Sequence, residues 1–67
     1  MYLQSSNLSS ADYDSDSAIL TISFHSGSVY EYYHVPYAIY RGLLNASSHG
    51  TYFHANIRNH YSYRRIC

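Results

Sequence analysis

The feature that most limits how this 67-residue chain can fold is a strand that runs directly into a helix. Residues 30–36 read Tyr-Glu-Tyr-Tyr-His-Val-Pro. Alternate side chains of a strand point to opposite faces, so Tyr30 and Tyr32 are predicted to share one face. Pro36 has no N–H to lose at the first position of a helix, and its fixed φ suits that position. We therefore expect a strand over residues 29–33 and a helix that begins at Pro36.

Two further strands are predicted upstream of this stretch. Residues 18–24 alternate apolar and more polar side chains, a period of two that is typical of a strand with one apolar face. Residues 8–13 form a weaker strand, in which Leu8 and either Ala11 or Tyr13 face inward. The sequence thus predicts three strands before the first helix.

Short polar segments connect these strands. Residues 14–17, Asp-Ser-Asp-Ser, predict a turn because short Asp and Ser side chains hydrogen-bond to their own backbone. Residues 25–28 predict a hairpin turn in which Gly27 supplies the positive φ. Connections this short place consecutive strands side by side, so we expect a three-stranded antiparallel meander.

Two short helices are predicted to follow the meander. The first spans residues 36–46, where an apolar stripe has helical spacing and Gly42 suggests a close approach of the helix to the sheet. The second spans about residues 49–59, with Ser48 as its N-cap. The stripe of the first helix consists of Ile39, Tyr40, Leu43 and Leu44, and the buried face of the second of Phe53 and Ile57.

The remaining residues, 61–67, are predicted to be a short tail that packs back through Tyr61, Tyr63 and Ile66. The fold class expected for the whole is α+β: a three-stranded antiparallel meander followed by two short helices packed on one face. The length of 67 residues predicts a single domain over residues 1–67. A chain this short buries only about 60% of the surface that it exposes when unfolded, so we expect marginal stability or support from self-association.

The charge balance limits the possible partners. Four arginines and no lysine balance three aspartates and one glutamate, so the formal net charge is zero. General polyanion binders are usually clearly basic, and this chain is not, although a small basic patch is compatible with its composition.

The single cysteine is the last residue, Cys67, so no disulfide can form within the chain and a reducing, cytoplasmic location is expected. No apolar run approaches the roughly 20 residues of a membrane span, and no basic segment followed by an apolar one marks a signal peptide. We therefore expect no membrane partner.

The order and spacing of many short features resemble the KTSC domain, a family named for its occurrence at the C-terminus of some lysyl-tRNA synthetases. The resemblance extends from about Ser5 to Ile66. It rests on Ser5-Ser6, Tyr13-Asp14, Leu20, Ile22, Phe24, Gly27, Tyr30-x-Tyr32, Val35-Pro36, Tyr40, Leu43, Ala46-Ser47-Ser48, Gly50, Tyr52-Phe53, Ile57-Arg58 and Tyr61-x-Tyr63.

The resemblance implies a small α+β module, which in that family also occurs as stand-alone proteins of bacteria and phages. RNA binding is suggested in that family because the domain occurs in the same chain as a synthetase. This is an argument by analogy and does not establish function. Two positions depart from the family pattern. Ser62 stands where proline is common, and His54 stands where asparagine is expected.

The best candidate site is a C-terminal set in which arginine and tyrosine alternate. Arginine forks bind phosphates in a bidentate manner, and tyrosine rings stack on unpaired bases. His54 and His60 lie within the same part of the sequence. The residues predicted to contact nucleic acid are Tyr52, Arg58, Tyr61, Tyr63, Arg64 and Arg65.

A purely structural role for the same residues stays open. The tyrosines would then cover a thin core, and the arginines would be solvated or paired with Asp12, Asp14, Asp16 and Glu31. The Tyr30 and Tyr32 pair has the same two interpretations, since aromatic side chains on an open sheet face stack bases in several RNA-binding modules. Packing is favoured for this pair, because the two helices must cover one face of the sheet.

Metal binding and catalysis are not favoured. The five histidines, His25, His34, His49, His54 and His60, lack the spacing of a metal site. The Asp12-x-Asp14-x-Asp16 run begins like a calcium loop, but Ser17 and Ser23 occupy the positions of the required glycine and glutamate. No nucleophile elbow is present. We expect no catalytic residue, metal or cofactor.

Two functions of different class remain. The first is a small non-catalytic binding module that contacts RNA through the C-terminal surface, with a small-nucleotide binder as a variant if tyrosines and arginines converge on a pocket. The second is a protein-interaction module that binds or inhibits a protein partner, or self-associates. Zero net charge and abundant tyrosine favour the second, since tyrosine and arginine are enriched at protein interfaces.

Overall fold

The computed structural model describes residues 1–67 as a four-stranded antiparallel sheet with two helices. The elements in chain order are β1 (Leu8–Asp14), β2 (Ile19–Phe24), β3 (Val29–Tyr32), α1 (Tyr37–Asn45), α2 (His49–Asn56) and β4 (Tyr63–Arg65). The strands lie in the order β1-β2-β3-β4, so every strand pairs with its sequence neighbour. The predicted α+β class and the antiparallel meander are confirmed.

The sheet contains four strands, one more than the sequence predicts. The predicted tail contains β4, which pairs with β3 so that Tyr30 lies opposite Arg65 and Tyr32 opposite Tyr63. A three-residue strand is too short to show a period of two in the sequence, and it exists because β3 offers an unpaired edge. The tail is thus held by backbone hydrogen bonds, including those from the Tyr33 N–H to the Ser62 carbonyl and from the Ile66 N–H to the Val29 carbonyl.

The first strand contains a bulge that the sequence did not predict. The register with β2 shifts between Leu8 and Ser10. Residues three apart in a regular strand face opposite ways, and the extra residue of a bulge brings Leu8 and Ala11 to the same face. Both are buried, and Tyr13 is half-buried on the same side. Ala11 and Tyr13, which the sequence offered as alternatives, therefore both face inward.

The N-terminal residues cover the outer edge of β1. The Leu3 N–H donates to the Ser9 carbonyl, and the Ala11 N–H donates to the Met1 carbonyl. The N-terminal ammonium lies 2.8 Å from an Asp12 carboxylate oxygen. An unpaired strand edge is a hazard for association with other chains, and this segment removes it on one side of the sheet.

Both helices begin close to their predicted starts. Pro36 has extended backbone angles and is the N-cap of α1, so the helix begins at Tyr37, one residue later than predicted. The Ser48 hydroxyl accepts a hydrogen bond from the Thr51 N–H at 3.3 Å, which confirms Ser48 as the N-cap of α2. Neither helix has the length and apolar character that a membrane-spanning helix requires.

The second helix ends at Asn56, three residues before its predicted end at Asn59. The Ile57 and Arg58 N–H groups both donate to the Phe53 carbonyl, and Asn59 adopts a left-handed conformation with φ +65°. Asparagine tolerates this conformation better than most residues and commonly follows helix ends. A left-handed residue also shortens β2. Ala18 has φ +58° and belongs to the preceding turn, so β2 begins at Ile19, one residue later than predicted.

The core lies between one face of the sheet and the two helices. Leu20 and Ile22 of β2 are fully buried, as their alternation predicted, and Phe53 and Ile57 are buried on the α2 side. The ten buried residues are Leu3, Leu8, Ala11, Leu20, Ile22, Tyr32, Val35, Leu43, Phe53 and Ile57. All ten are apolar or aromatic, so this core is small and carries no buried charge.

Candidate functional site

A groove of about 490 Å³ opens at one end of the sheet, where four separate segments meet. They are the residues before β1, the turn between β2 and β3, the end of α2, and β4. The floor is aromatic and consists of Phe24, Tyr30, Tyr32, Phe53 and Tyr63. The rim is polar and includes Ser6, Asn7, His25, Ser26, Ser28, His54, Arg58 and Asn59.

The aromatic rings of the floor pack on one another. Tyr30 lies 5.7 Å from both Phe24 and Tyr63, measured between ring centroids, and Phe24 lies 5.6 Å from Phe53. These separations are typical of favourable aromatic pairs. Tyr30 is half-buried, whereas 57% of Tyr63 is exposed, so Tyr63 presents the most accessible ring of the floor.

Tyr32 closes the inner end of the groove and is 4% exposed. Burial, with smaller contributions from Tyr30 and Tyr63, raises the pKa of Tyr32 to about 12, and the positive charge of Arg58 opposes this shift. The hydroxyl is therefore uncharged at neutral pH. The floor of the groove thus brings no negative charge to a ligand.

Two groups of the rim, one near the end of α2 and one just after it, are hydrogen-bonded to each other. Arg58 Nη1 lies 3.3 Å from His54 Nδ1. A guanidinium can only donate, so Nδ1 accepts, and the neutral His54 ring carries its proton on Nε2. Elsewhere on the rim, His25 Nε2 donates to the Ser5 carbonyl at 2.9 Å. The rim therefore combines a permanent cation with two imidazoles.

The groove contains no carboxylate. Asp12 lies opposite Thr21, which lies opposite Glu31, which lies opposite Arg64, so these four residues form a row across the sheet. This row is on the face away from the helices, because the inward residues of β2 are Leu20 and Ile22. The sheet thus separates Asp12 and Glu31 from the aromatic groove.

The structure does not bring the six residues predicted from the sequence together in one place. Arg58 and Tyr63 line the groove. Arg65 lies opposite Tyr30 in the sheet and on the same face as Tyr63, and its Nε donates to the Cys67 carbonyl at 2.8 Å. Arg64 lies on the other face, opposite Glu31.

The remaining two predicted residues lie outside the groove. Tyr52 lies on α2 with its ring against Gly42 of α1, and Tyr61 is half-buried against the core. Gly42 thus marks a close approach between the two helices, whereas the sequence suggested an approach to the sheet. The structure brings Arg58, Tyr63 and Arg65 to one side and separates them from Tyr52, Tyr61 and Arg64.

Sequence reasoning missed the part of the groove contributed by the β2–β3 turn. His25 and His54 are 29 residues apart in the sequence, and only the fold places both on one rim. The sequence favours packing over base stacking for Tyr30 and Tyr32. Tyr32 is buried, but Tyr30 contributes to the accessible floor. The C-terminal part of the sequence singled out above already contains His54 and Arg58, whereas no local signal marks His25 as part of the groove.

The fold and the groove define a small α+β domain with an exposed aromatic and cationic cleft. The chain belongs to the KTSC domain family, whose sequence profile matches residues 4–61. The crystal structure of a KTSC domain protein from Yersinia pestis superimposes with a TM-score of 0.97 at 30% identity, covering 100% of this chain and 94% of that one. The predicted resemblance is confirmed.

Two relatives show the settings in which similar sequences occur. An uncharacterized protein of Stutzerimonas stutzeri is 43% identical over 65 residues, which cover 96% of this chain and 92% of that protein. A lysine–tRNA ligase of Trichormus variabilis is 44% identical over 54 residues, which cover 81% of this chain and only 10% of the ligase. The chain therefore spans about a tenth of the length of the ligase.

Proposed function

We propose that this KTSC domain is a small non-catalytic binding module that contacts RNA. The observation that carries the proposal is the groove itself, in which an accessible aromatic floor, a cationic rim and the absence of carboxylates coincide. Aromatic platforms beside arginines are how proteins hold unpaired RNA bases and their phosphates. The similarity to a segment of a lysine–tRNA ligase, an enzyme named for tRNA, supports the same class of ligand.

In this proposal Arg58 and Arg65 meet phosphates, and Tyr63 stacks on a base. An RNA strand that extends from the groove around the edge formed by β4 reaches Arg64 on the other face of the sheet. Tyr52 and Tyr61 support the helices and the core, and contact RNA only outside the groove. The module adds affinity and position to a larger assembly and carries out no reaction.

The test is binding of a fluorescent single-stranded RNA pool to the wild-type chain and to the triple variant Arg58→Ala/Arg64→Ala/Arg65→Ala. With two or three phosphate contacts, affinity should fall roughly tenfold between about 50 and 200 mM salt. The triple variant should lose most of the binding. Arg41→Ala is the matched control for the single variant Arg58→Ala, because each removes one positive charge and Arg41 lies on α1, away from the groove.

Absence of RNA binding at low salt would contradict this proposal. Equal losses in Arg58→Ala and in Arg41→Ala would also contradict it, because total charge and not the groove would then determine binding.

A second candidate is a protein-interaction module, which is favoured by an aromatic cluster on the opposite side of the domain. Tyr13 stacks on Tyr40 with 5.2 Å between ring centroids, and Tyr37 lies 5.8 Å from Tyr13 and is 55% exposed. Exposed tyrosines are frequent centres of protein interfaces. Such an interface would change little with salt, so the salt series above separates the two candidates.

A further inference from the structure

The groove has the size of a site for one small ligand. Ligand pockets typically enclose about 300–1,000 Å³, and this groove of about 490 Å³ lies in the lower part of that range. It is too small to accommodate several nucleotides, and it is closed on its inner side by Tyr32 and Phe53. We propose that it binds a single unpaired nucleotide, with the base on the Tyr30–Tyr63 floor and the phosphate on Arg58 and His54. This inference rests on the proposed function and deepens it.

The ring geometry determines how a base can stack. A base inserted between two rings needs roughly 7 Å, twice the contact distance of about 3.5 Å between carbon atoms. The centroids of Tyr30 and Tyr63 are only 5.7 Å apart and the rings are inclined by 47°. The two rings therefore form a platform and not a clamp, and the base lies on the accessible surface of Tyr63. Stacking on one platform is tolerant of base identity.

The rim supplies two hydrogen-bond donors for a phosphate. Arg58 uses one of its five N–H groups on His54 Nδ1, which leaves four for other acceptors. The same hydrogen bond requires the neutral His54 ring to carry its proton on Nε2, which is a second donor on the same rim. No carboxylate of the groove competes for either group. Arg58 and His54 thus form a prearranged anion site beside the aromatic platform.

The remaining rim groups suit the edge of a base. Asn7 and Asn59 each offer an amide donor and an acceptor, and Ser26 and Ser28 offer hydroxyls. Asn59 is held in a left-handed turn directly after Arg58, so its side chain and the phosphate site come from adjacent residues. A nucleotide is the class of ligand that combines an aromatic face, a polar edge and a phosphate.

The same chemistry is presented by a free mononucleotide and by an unpaired nucleotide within RNA. Two probes separate these sources: adenosine 5′-monophosphate and the pentaribonucleotide of adenosine. Each is titrated into ¹⁵N-labelled wild-type protein, and amide chemical shifts are followed. We expect the largest shifts at His25, His54, Arg58, Asn59 and Tyr63. Saturation by the monophosphate as well as the pentamer identifies a free nucleotide as a sufficient ligand, and saturation by the pentamer alone identifies RNA.

Two substitutions test the roles of the residues. Arg58→Gln keeps a polar hydrogen-bonding side chain but removes the positive charge, and Tyr63→Leu keeps an apolar side chain in β4 but removes the ring. We expect either to weaken binding of the saturating probe at least tenfold. Arg41→Gln on α1 is the matched control and should change affinity less than twofold. Amide spectra confirm that each variant is folded, and Arg58→Gln alters an exposed side chain outside the core.

The outcomes distinguish this inference from the proposed function. If the RNA pool binds but Arg58→Gln and Tyr63→Leu bind equally well, or if the shifts cluster around Arg64 on the other face, the nucleotide groove is wrong and RNA binding stands. If neither probe nor the RNA pool binds at low salt, both are wrong.

Discussion

The ring of Tyr52 on α2 lies directly against the backbone of Gly42 on α1, so that a Cβ at residue 42 would collide with the tyrosine hydroxyl and its ring carbons. The two helices therefore meet through a glycine and a tyrosine. A glycine within a helix costs about 1 kcal/mol relative to alanine, so its use here is explained by the space that Tyr52 requires.

Gly42→Ala should destabilise the protein by about 1 kcal/mol. The gain in helix propensity of about 1 kcal/mol is outweighed by overpacking, which typically costs 1–3 kcal/mol. In a Tyr52→Ala background the same substitution should instead stabilise by up to about 1 kcal/mol, because the obstacle is gone. Urea unfolding of the four proteins measures this reversal. A destabilisation of the same size in both backgrounds would show that Tyr52 is not the cause.

The Tyr13 hydroxyl donates to the Val35 carbonyl at 2.6 Å and connects β1 to the residues before α1. Val35 is fully buried, so loss of this donor leaves a carbonyl without its side-chain partner. Tyr13→Phe should therefore reduce the free energy of unfolding by about 1–2 kcal/mol. Tyr40→Phe is the matched control, since its hydroxyl makes no hydrogen bond within the chain and should change stability by less than about 0.5 kcal/mol.

Alkaline pH should destabilise the fold through Tyr32. Burial raises its pKa from 10.0 to about 12 in the folded protein. Below pH 10 the tyrosine is protonated in both states, and its contribution to stability is complete. Between about pH 10 and 12 the unfolded chain loses the proton while the folded chain retains it, so stability falls as pH rises, by on the order of 2 kcal/mol.

Tyr32→Phe tests this prediction, because it removes the ionising group and keeps the ring. Between pH 9 and pH 11.5 the variant should lose less stability than the wild type, as measured by chemical unfolding at each pH. Burial also raises the pKa of Tyr40, so some alkaline loss should remain in the variant. Identical pH profiles for the two proteins would contradict the assignment to Tyr32.

Truncation after Asn59 should destabilise the fold, because it removes β4 and the half-buried Tyr61. The floor residues Tyr30 and Tyr32 would lose their partners on the outer strand. We expect a melting temperature lower by more than about 10 °C, which corresponds to roughly 2 kcal/mol in a chain of this size. Removal of Cys67 alone is the control and should lower it by less than about 3 °C. Unchanged melting of the longer truncation would show that β4 contributes little.

Most of the fold could be predicted because its signals are local. The alternation in residues 18–24, the turn at Gly27 and the cap at Ser48 are each contained in a few neighbouring residues. The errors have equally physical causes. Ala18 and Asn59 adopt left-handed backbone conformations that shorten a strand and a helix, and a bulge near Ser9 changes which residues of β1 face inward. None of these conformations is determined by side-chain periodicity.

The sequence by itself determined the α+β class and the order of the first three strands and both helices, and it predicted a candidate surface of C-terminal arginines and tyrosines. Only the tertiary structure decided that β4 pairs with β3, that Tyr52 and Arg64 lie apart from Arg58, and that His25 and His54 share a rim. The reason is that a strand edge, a face and a groove are formed by residues distant in sequence. Their proximity depends on register and packing, which no local pattern specifies.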